Sequence, residues 1–319
     1  MMQNRYRTQN LSEFWLKIIA LVAMSFDHIG AFLNDYSGSF ANSGAISTIA
    51  LAFRIVGRLA FPLFALMLAE GLRHTHDKGK YLMRLFDVFA LIFVVELVLY
   101  VLNLNGIGNF GAPSSQIFTS LVLYALFACL AERKDWMKWL AVLPVAYILL
   151  SYAADICTLY YANATAESVR FALSWQNYFP LFVRAQYSLF GFLVFLGFFY
   201  ARPFADRFVK KSLSLDEKGL AEYQATSDYQ RLLNIAGATS LSVVTIVFWG
   251  LSYIATEATP YTFDVYKMGL QTYGLLSVLL ILCYNGRRGY DSKWFRAFNY
   301  LYYPVHIAII ALVFVLVFN

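Results

Sequence analysis

The chain has 319 residues, of which 60% are hydrophobic, 18% aromatic and 14% charged, with a mean hydropathy of +0.57. These values exclude a soluble globular domain and a disordered chain, and define a polytopic membrane protein. The net charge of +6 does not point to nucleic acid, because the basic residues alternate between loops as a topology signal does. The apolar runs are continuous instead of alternating, so an all-α transmembrane bundle is expected and a β-barrel is not.

Arg5 and Arg7 lead to Ser12 and Glu13, a helix cap before the first apolar run, Phe14 to Leu33. No small-residue cleavage site follows, so this run reads as an uncleaved signal anchor. Further spans are predicted near 46–70, 81–102, 115–131, 137–154, 182–201, 233–255, 268–284 and 298–318, about nine in all within one domain over 1–319. Cys129, Cys157 and Cys283 lie in or beside spans at no metal or disulfide spacing, as small packing residues do.

The loops orient these spans. The N-terminal tail and every second loop carry the basic residues, including Arg73, Lys80, Arg84, Arg133, Lys134, Lys210, Lys211, Arg287 and Arg288. The other loops hold only Arg170 and Lys267, with Arg184 just inside a span. By the positive-inside rule the N-terminus is cytoplasmic and the C-terminus exoplasmic, in an inner or plasma membrane. Two loops are long: an exoplasmic one at 155–181, rich in aromatics such as Tyr160 and Trp175, and a cytoplasmic one at 202–232. The second is expected to hold an interfacial helix around Leu213–Leu233 that meets anionic lipid.

Charged groups inside spans mark function by default. Asp27 lies about 9 Å from the outer end of the first span, and Arg54 and Glu96 come to similar depths. Arg58 is expected one turn below Arg54 on the same helix face, near the level of His306, and Glu70 and Arg73 mark the inner mouth. Together they predict a polar ladder from the cytoplasmic face to the outer third. Asp27 and His28 are adjacent, hence about 100° apart on a helix, so they cannot face each other. Asp27 is expected to neutralise an arginine, while His28 faces a cavity as an unpaired general base.

Phosphate-loop, CxxC, HExxH and GxSxG patterns are all missing, so soluble-enzyme chemistries and a metal have no support. The basic clusters Arg73–Arg84 and Asn285-Gly286-Arg287-Arg288-Gly289 are candidates for a polyphosphate ligand approaching from the cytoplasm. They also satisfy the positive-inside rule without any ligand.

Several motifs stand out in order along the chain: Leu16-Lys17-Ile18-Ile19-Ala20 before Met24-Ser25-Phe26-Asp27-His28-Ile29-Gly30, and Arg54-Ile55-Val56-Gly57-Arg58 running through Phe61-Pro62-Leu63-Phe64 to Glu70-Gly71. Tyr81-Leu82-Met83-Arg84-Leu85, the Asn285–Gly289 motif and Tyr302-Tyr303-Pro304-Val305-His306 complete the set. In order and spacing this set resembles the TraX family, linked to acetylation of pilin during conjugation, and more distantly the transmembrane acyltransferases that modify glycans. The resemblance implies a transferase that uses acetyl-CoA as co-substrate. It implies a functional set of Asp27, His28, Arg54, Arg58 and His306.

The combined expectation is that acetyl-CoA docks from the cytoplasm on Arg73, Lys80, Arg84, Arg287 and Arg288. Arg54, Arg58, Glu70 and Glu96 would hold the substrate site. His28 or His306 would deprotonate an amine or hydroxyl of a protein, peptide or glycan acceptor from the exoplasmic side. The alternative is a proton-coupled transporter or flippase, for which the same buried Asp, His and Arg are natural; a scaffold without chemistry is a third possibility.

Overall fold

The computed structural model describes residues 9–40, 42–105, 116–162, 179–258 and 268–318. Among them no strand occurs beyond an isolated bridge between Leu11 and Tyr284, and the chain is an all-α polytopic helical bundle. Twelve α-helices follow one another among the described residues: α1 Glu13–Asp35, α2 Ser43–Gly57, α3 Ala60–His74, α4 Lys78–Leu104, α5 Ile117–Ala131, α6 Val142–Ala162, α7 Ser188–Leu213, α8 Glu217–Gln224, α9 Ser227–Ala258, α10 Met268–Gln271, α11 Ser277–Leu282 and α12 Lys293–Phe318. Among the described residues, seven helical stretches are long and apolar enough to cross a membrane, and two shorter apolar stretches, Ile117–Ala131 and Met268–Leu282, fall where the other two spans were expected.

The helices group into two compact units. One comprises 1–67, 194–246 and 269–319, so it holds α1, α2, α8, α11 and α12 entire; the other comprises 68–193 and 247–268, with α4, α5 and α6. In the first unit, α1 packs against α2 and α12. Two glycines set the α1–α2 approach, as small residues do between membrane helices. A Cβ on Gly30 would lie 2.8 Å from the Ala50 carbonyl oxygen, and one on Gly57 would lie 2.7 Å from the Asp27 Cα.

The expected helix 46–70 is broken. α2 ends at Gly57, a turn holds Arg58 and Leu59, and α3 restarts at Ala60. Pro62 explains the restart: it has no amide hydrogen to give the Arg58 carbonyl, yet suits the first turn of a helix. Arg58 is therefore the C-cap of α2, not a residue one turn further along it. The segment 268–282 is broken too, its α10 and α11 separated by a 3₁₀ turn over Thr272–Leu276.

Other expectations change at helix ends. Ser12 is the N-cap of α1 but makes no side-chain cap bond. Instead the Glu13 and Phe14 amides donate to the carbonyls of Arg287 and Arg288, at 2.8 and 3.0 Å. Helix ends need such acceptors for their orphan amides. Residues 202–232 are not a loop with one interfacial helix: α7 runs on to Leu213, and α8 folds back on it. Asp206 of α7 accepts from Gln224 Nε2 at 2.8 Å and Tyr229 OH at 2.6 Å over a core of Ala205, Val209, Leu220 and Tyr229. The first part of the expected loop 155–181 is helical to Ala162, and residues 163–178, with Trp175 and Arg170, lie outside the described residues, as do Arg5, Arg7 and Lys267.

In the second unit a buried polar web holds the entry to α7. Arg184, 1% exposed, donates to Asp155 Oδ1 and to the Phe179 carbonyl, both at 3.0 Å. Ser188 adopts φ +35°, and is held there by its Oγ donating to Ile148 O and by Tyr124 OH donating to Ser188 O. Such strain persists only where surrounding bonds over-determine it.

Candidate active site

Asp27 and His28 leave α1 in different directions, one towards α2 and the other towards α12. The Asp27 carboxylate pairs with the Nη2 of Arg58, and Arg54 Nε stands 3.8 Å away on the same oxygen. Arg58 is 9% exposed and spends its other donors locally: Nε to the Arg54 carbonyl at 3.2 Å and Nη1 to Gln271 Oε1 at 3.2 Å. The break in the second span thus carries an arginine whose side chain binds a carbonyl at the end of the helix it terminates. Irregular backbone at membrane depth survives only with this kind of internal satisfaction. Withdrawing one partner of a buried ion pair costs about 3–5 kcal/mol, because a charge is left uncompensated.

The other broken segment meets it there. Gln271, 1% exposed, closes α10, and a Cβ on Gly274 would lie 3.4 Å from both the Arg58 carbonyl oxygen and the Gln271 Nε2. The Nε2 itself has no hydrogen-bond partner. An unmet buried donor costs about 1–3 kcal/mol.

On the α12 side, His28 Nδ1 and His306 Nε2 are 2.7 Å apart, and His306 Nδ1 is 2.7 Å from the Tyr302 carbonyl oxygen. A carbonyl only accepts, so His306 Nδ1 carries a proton. In the neutral ring its Nε2 is then the acceptor, and the His28 Nδ1–H must be the donor. His28 Nε2 is left with the lone pair. The expectation of an unpaired His28 is corrected: its ring is fixed by a second histidine, as an orienting partner fixes a base. One turn away the Ser25 hydroxyl donates to Leu21 O at 3.0 Å, so at 2.7 Å it accepts from Tyr302 OH. Tyr302 also stacks on His306, ring centroids 5.0 Å apart and 15° between planes. His28 lies within electrostatic reach of Asp27, Arg58 and Arg54.

The first unit thus gathers Asp27, His28, Arg54, Arg58 and His306. Glu70, Arg73, Lys80, Arg84 and Glu96 belong to the second. There Glu70 holds Arg73 at 2.5 Å, with His74 3.4 Å away, and Glu96 accepts from Gln116 Nε2 at 3.0 Å. Lys80 is exposed beside Asp77 at 3.2 Å, and Arg84 donates to the Lys80 carbonyl. Asp77 caps α4 by accepting from the Lys80 amide, and this bond and its neighbour's ammonium hold its carboxyl below the ordinary carboxylate range. Arg287 and Arg288 use their backbone to hold α1 and leave their side chains exposed, Arg288 3.7 Å from Asp291.

Sequence reasoning missed Gln271, Ser25 and Tyr302 at the first unit's cluster and the Arg184–Asp155 pair in the second. A lone carboxamide in the apolar run 268–284 was the available signal for the first.

These features define a class: an all-α polytopic membrane protein whose first, second and last spans assemble an Asp, two Arg and two His, with Arg58 and His306 buried. Within that class the chain belongs to the TraX protein family, which it matches over residues 12–206. That match includes Asp27, His28, Arg54 and Arg58 and stops short of Gln271 and His306. Over 87 residues, 26% of the chain, it is 40% identical to the probable fimbrial assembly protein FimC, serogroup H1, of Dichelobacter nodosus. The aligned stretch covers 32% of that protein, so the chain spans about a third of the curated relative's length. No solved structure matches.

Proposed function

We propose that the protein is a membrane acyltransferase, moving an acetyl group from cytoplasmic acetyl-CoA to an amine or hydroxyl of an exoplasmic or membrane-embedded acceptor. The observation that carries this is the hydrogen-bonded order Tyr302 O, His306, His28, which leaves a base lone pair on His28 Nε2 inside a span. Family membership and the fimbrial relative favour a pilin-like subunit as the acceptor. His28 Nε2 takes the proton from the acceptor amine or hydroxyl as its nitrogen or oxygen attacks the thioester carbonyl. The carbon–sulfur bond then breaks, the thiolate of CoA takes the proton back from His28, and the products are acetylated acceptor and CoA. Asp27 and Arg54 hold Arg58 in place. In the first unit the exposed Arg287 and Arg288 are candidates for the CoA phosphates; in the second, taken by itself, Arg73, Lys80 and Arg84 are candidates for phosphate and Glu70 and Glu96 for substrate.

Purified protein given radiolabelled acetyl-CoA and a pilin-like peptide should transfer label and release CoA, with His28→Ala lowering the rate about 10²–10⁴-fold. Release of no CoA with any acceptor, together with proton or solute movement in liposomes, would instead establish a transporter.

A further inference from the structure

Arg58 has donors only, so the Gln271 atom facing its Nη1 must be Oε1. That choice turns Nε2 away from Arg58 and leaves it as a fully buried donor without a partner. No amide flip relieves it, because the flipped carboxamide would set two donors against each other. The carboxamide is also fixed in place, anchored on a guanidinium that is itself locked to Asp27 and to the Arg54 carbonyl. Beside it Gly274 contributes no side chain, and a methyl there would stand 3.4 Å from Nε2 and 3.5 Å from Pro62 Cγ. A preorganised donor next to a space kept open by a glycine, where two broken helices meet, fits an incoming oxygen atom.

We infer that Gln271 Nε2 donates to the carbonyl oxygen of the acyl donor and holds the negative charge that this oxygen acquires when the acceptor attacks. The inference rests on the acyl-transfer reading and adds to it the group that binds the reacting carbonyl. Arg58, bonded to Asp27, Gln271 and the Arg54 carbonyl, positions this donor. Charge that develops during the reaction is stabilised most by donors already in place.

Gln271→Glu tests it. The carboxylate keeps an acceptor for Arg58 and nearly the same shape but has no N–H. With wild-type protein turning over acetyl-CoA, the substitution should lower kcat about 10²-fold and leave KM for acetyl-CoA within threefold. A readout independent of turnover is the carbonyl stretch of S-(2-oxopropyl)-CoA, a non-transferable ketone analogue. It should lie at lower frequency bound to wild type than bound to Gln271→Glu. Gly274→Ala serves if the glutamate variant does not fold, since its methyl makes only ordinary contacts. It should weaken analogue binding about tenfold while thermal unfolding in detergent is unchanged. Unaltered kcat and carbonyl frequency in Gln271→Glu, or unaltered analogue affinity in Gly274→Ala, would remove Gln271 from the site with acyl transfer intact. A wild-type protein that neither binds the analogue nor releases CoA would overturn both readings.

Discussion

At the scale of single residues, the two neighbours Asp27 and His28 separate structure from chemistry. Asp27 is bound to the break in the second span, so Asp27→Ala strands Arg58 and should destabilise the protein by about 3 kcal/mol, read as a lowered unfolding midpoint in detergent. Asp27→Asn keeps a hydrogen-bond acceptor and should lose less. His28 and His306 are ordered by tautomer, and they should fail in different ways. His28→Ala removes the atom with the free lone pair, whereas His306→Gln offers Oε1 to the same His28 Nδ1–H and should retain more activity than His306→Leu. Equal losses in His306→Gln and His306→Leu would dissolve the assigned order. The sequence made legible that Asp27 and His28 diverge, because that follows from 100° per residue. It did not make legible what each meets, since His306 is 278 positions away and nothing local encodes the pairing.

At the scale of elements, the broken second span was readable in principle. Gly57 and Pro62 bracket Arg58, and a proline four residues after a carbonyl removes that carbonyl's helical donor. An apolar run that continues on both sides hides this in a hydropathy profile. Gly57 also sets the α1–α2 distance, so Gly57→Ala drives a methyl into the Asp27 Cα and Cβ. It should abolish activity and lower stability, while Gly38→Ala, in open space, should do neither. The start of α4 offers a pH test outside the spans. The Lys80 amide and ammonium hold the Asp77 carboxyl below its ordinary range, so its contribution to α4 is full above the ordinary carboxylate pKa. That contribution is lost as pH falls through the lower, folded value. The protection of the first α4 amides, their hydrogen exchange measured against the intrinsic rate at each pH, should therefore fall at acid pH in the wild type. In Asp77→Asn, which keeps a capping oxygen but does not titrate, it should stay flat.

For the whole molecule, the two short apolar stretches set the number of crossings. Fifteen residues of α5 extend about 22 Å, less than a hydrocarbon core of about 30 Å. A short span is tolerated when protein covers it, and most of α5's first three turns, from Ile117 to Ala128, is buried against its own unit. Exposed tryptophans mark helix ends in each unit, Trp15, Trp136, Trp139 and Trp294 each standing beside a basic segment of the sequence, as interfacial anchors do. Charge decides the count further. If both short stretches cross, Lys134 and Lys211 share the cytoplasmic side with the other basic loops. If neither crosses, the chain between them inverts and both lysines face outwards, against the positive-inside rule. Single cysteines at these exposed positions distinguish the cases with a membrane-impermeant maleimide on intact cells, in a background where Cys129, Cys157 and Cys283 are replaced by serine. Gly38→Cys, in the first exoplasmic turn under either count, should label. Lys134→Cys and Lys211→Cys should label only after the membrane is opened. Labelling of both lysine positions in closed cells would leave seven crossings and take 268–282, with Gln271, out of the set of spans.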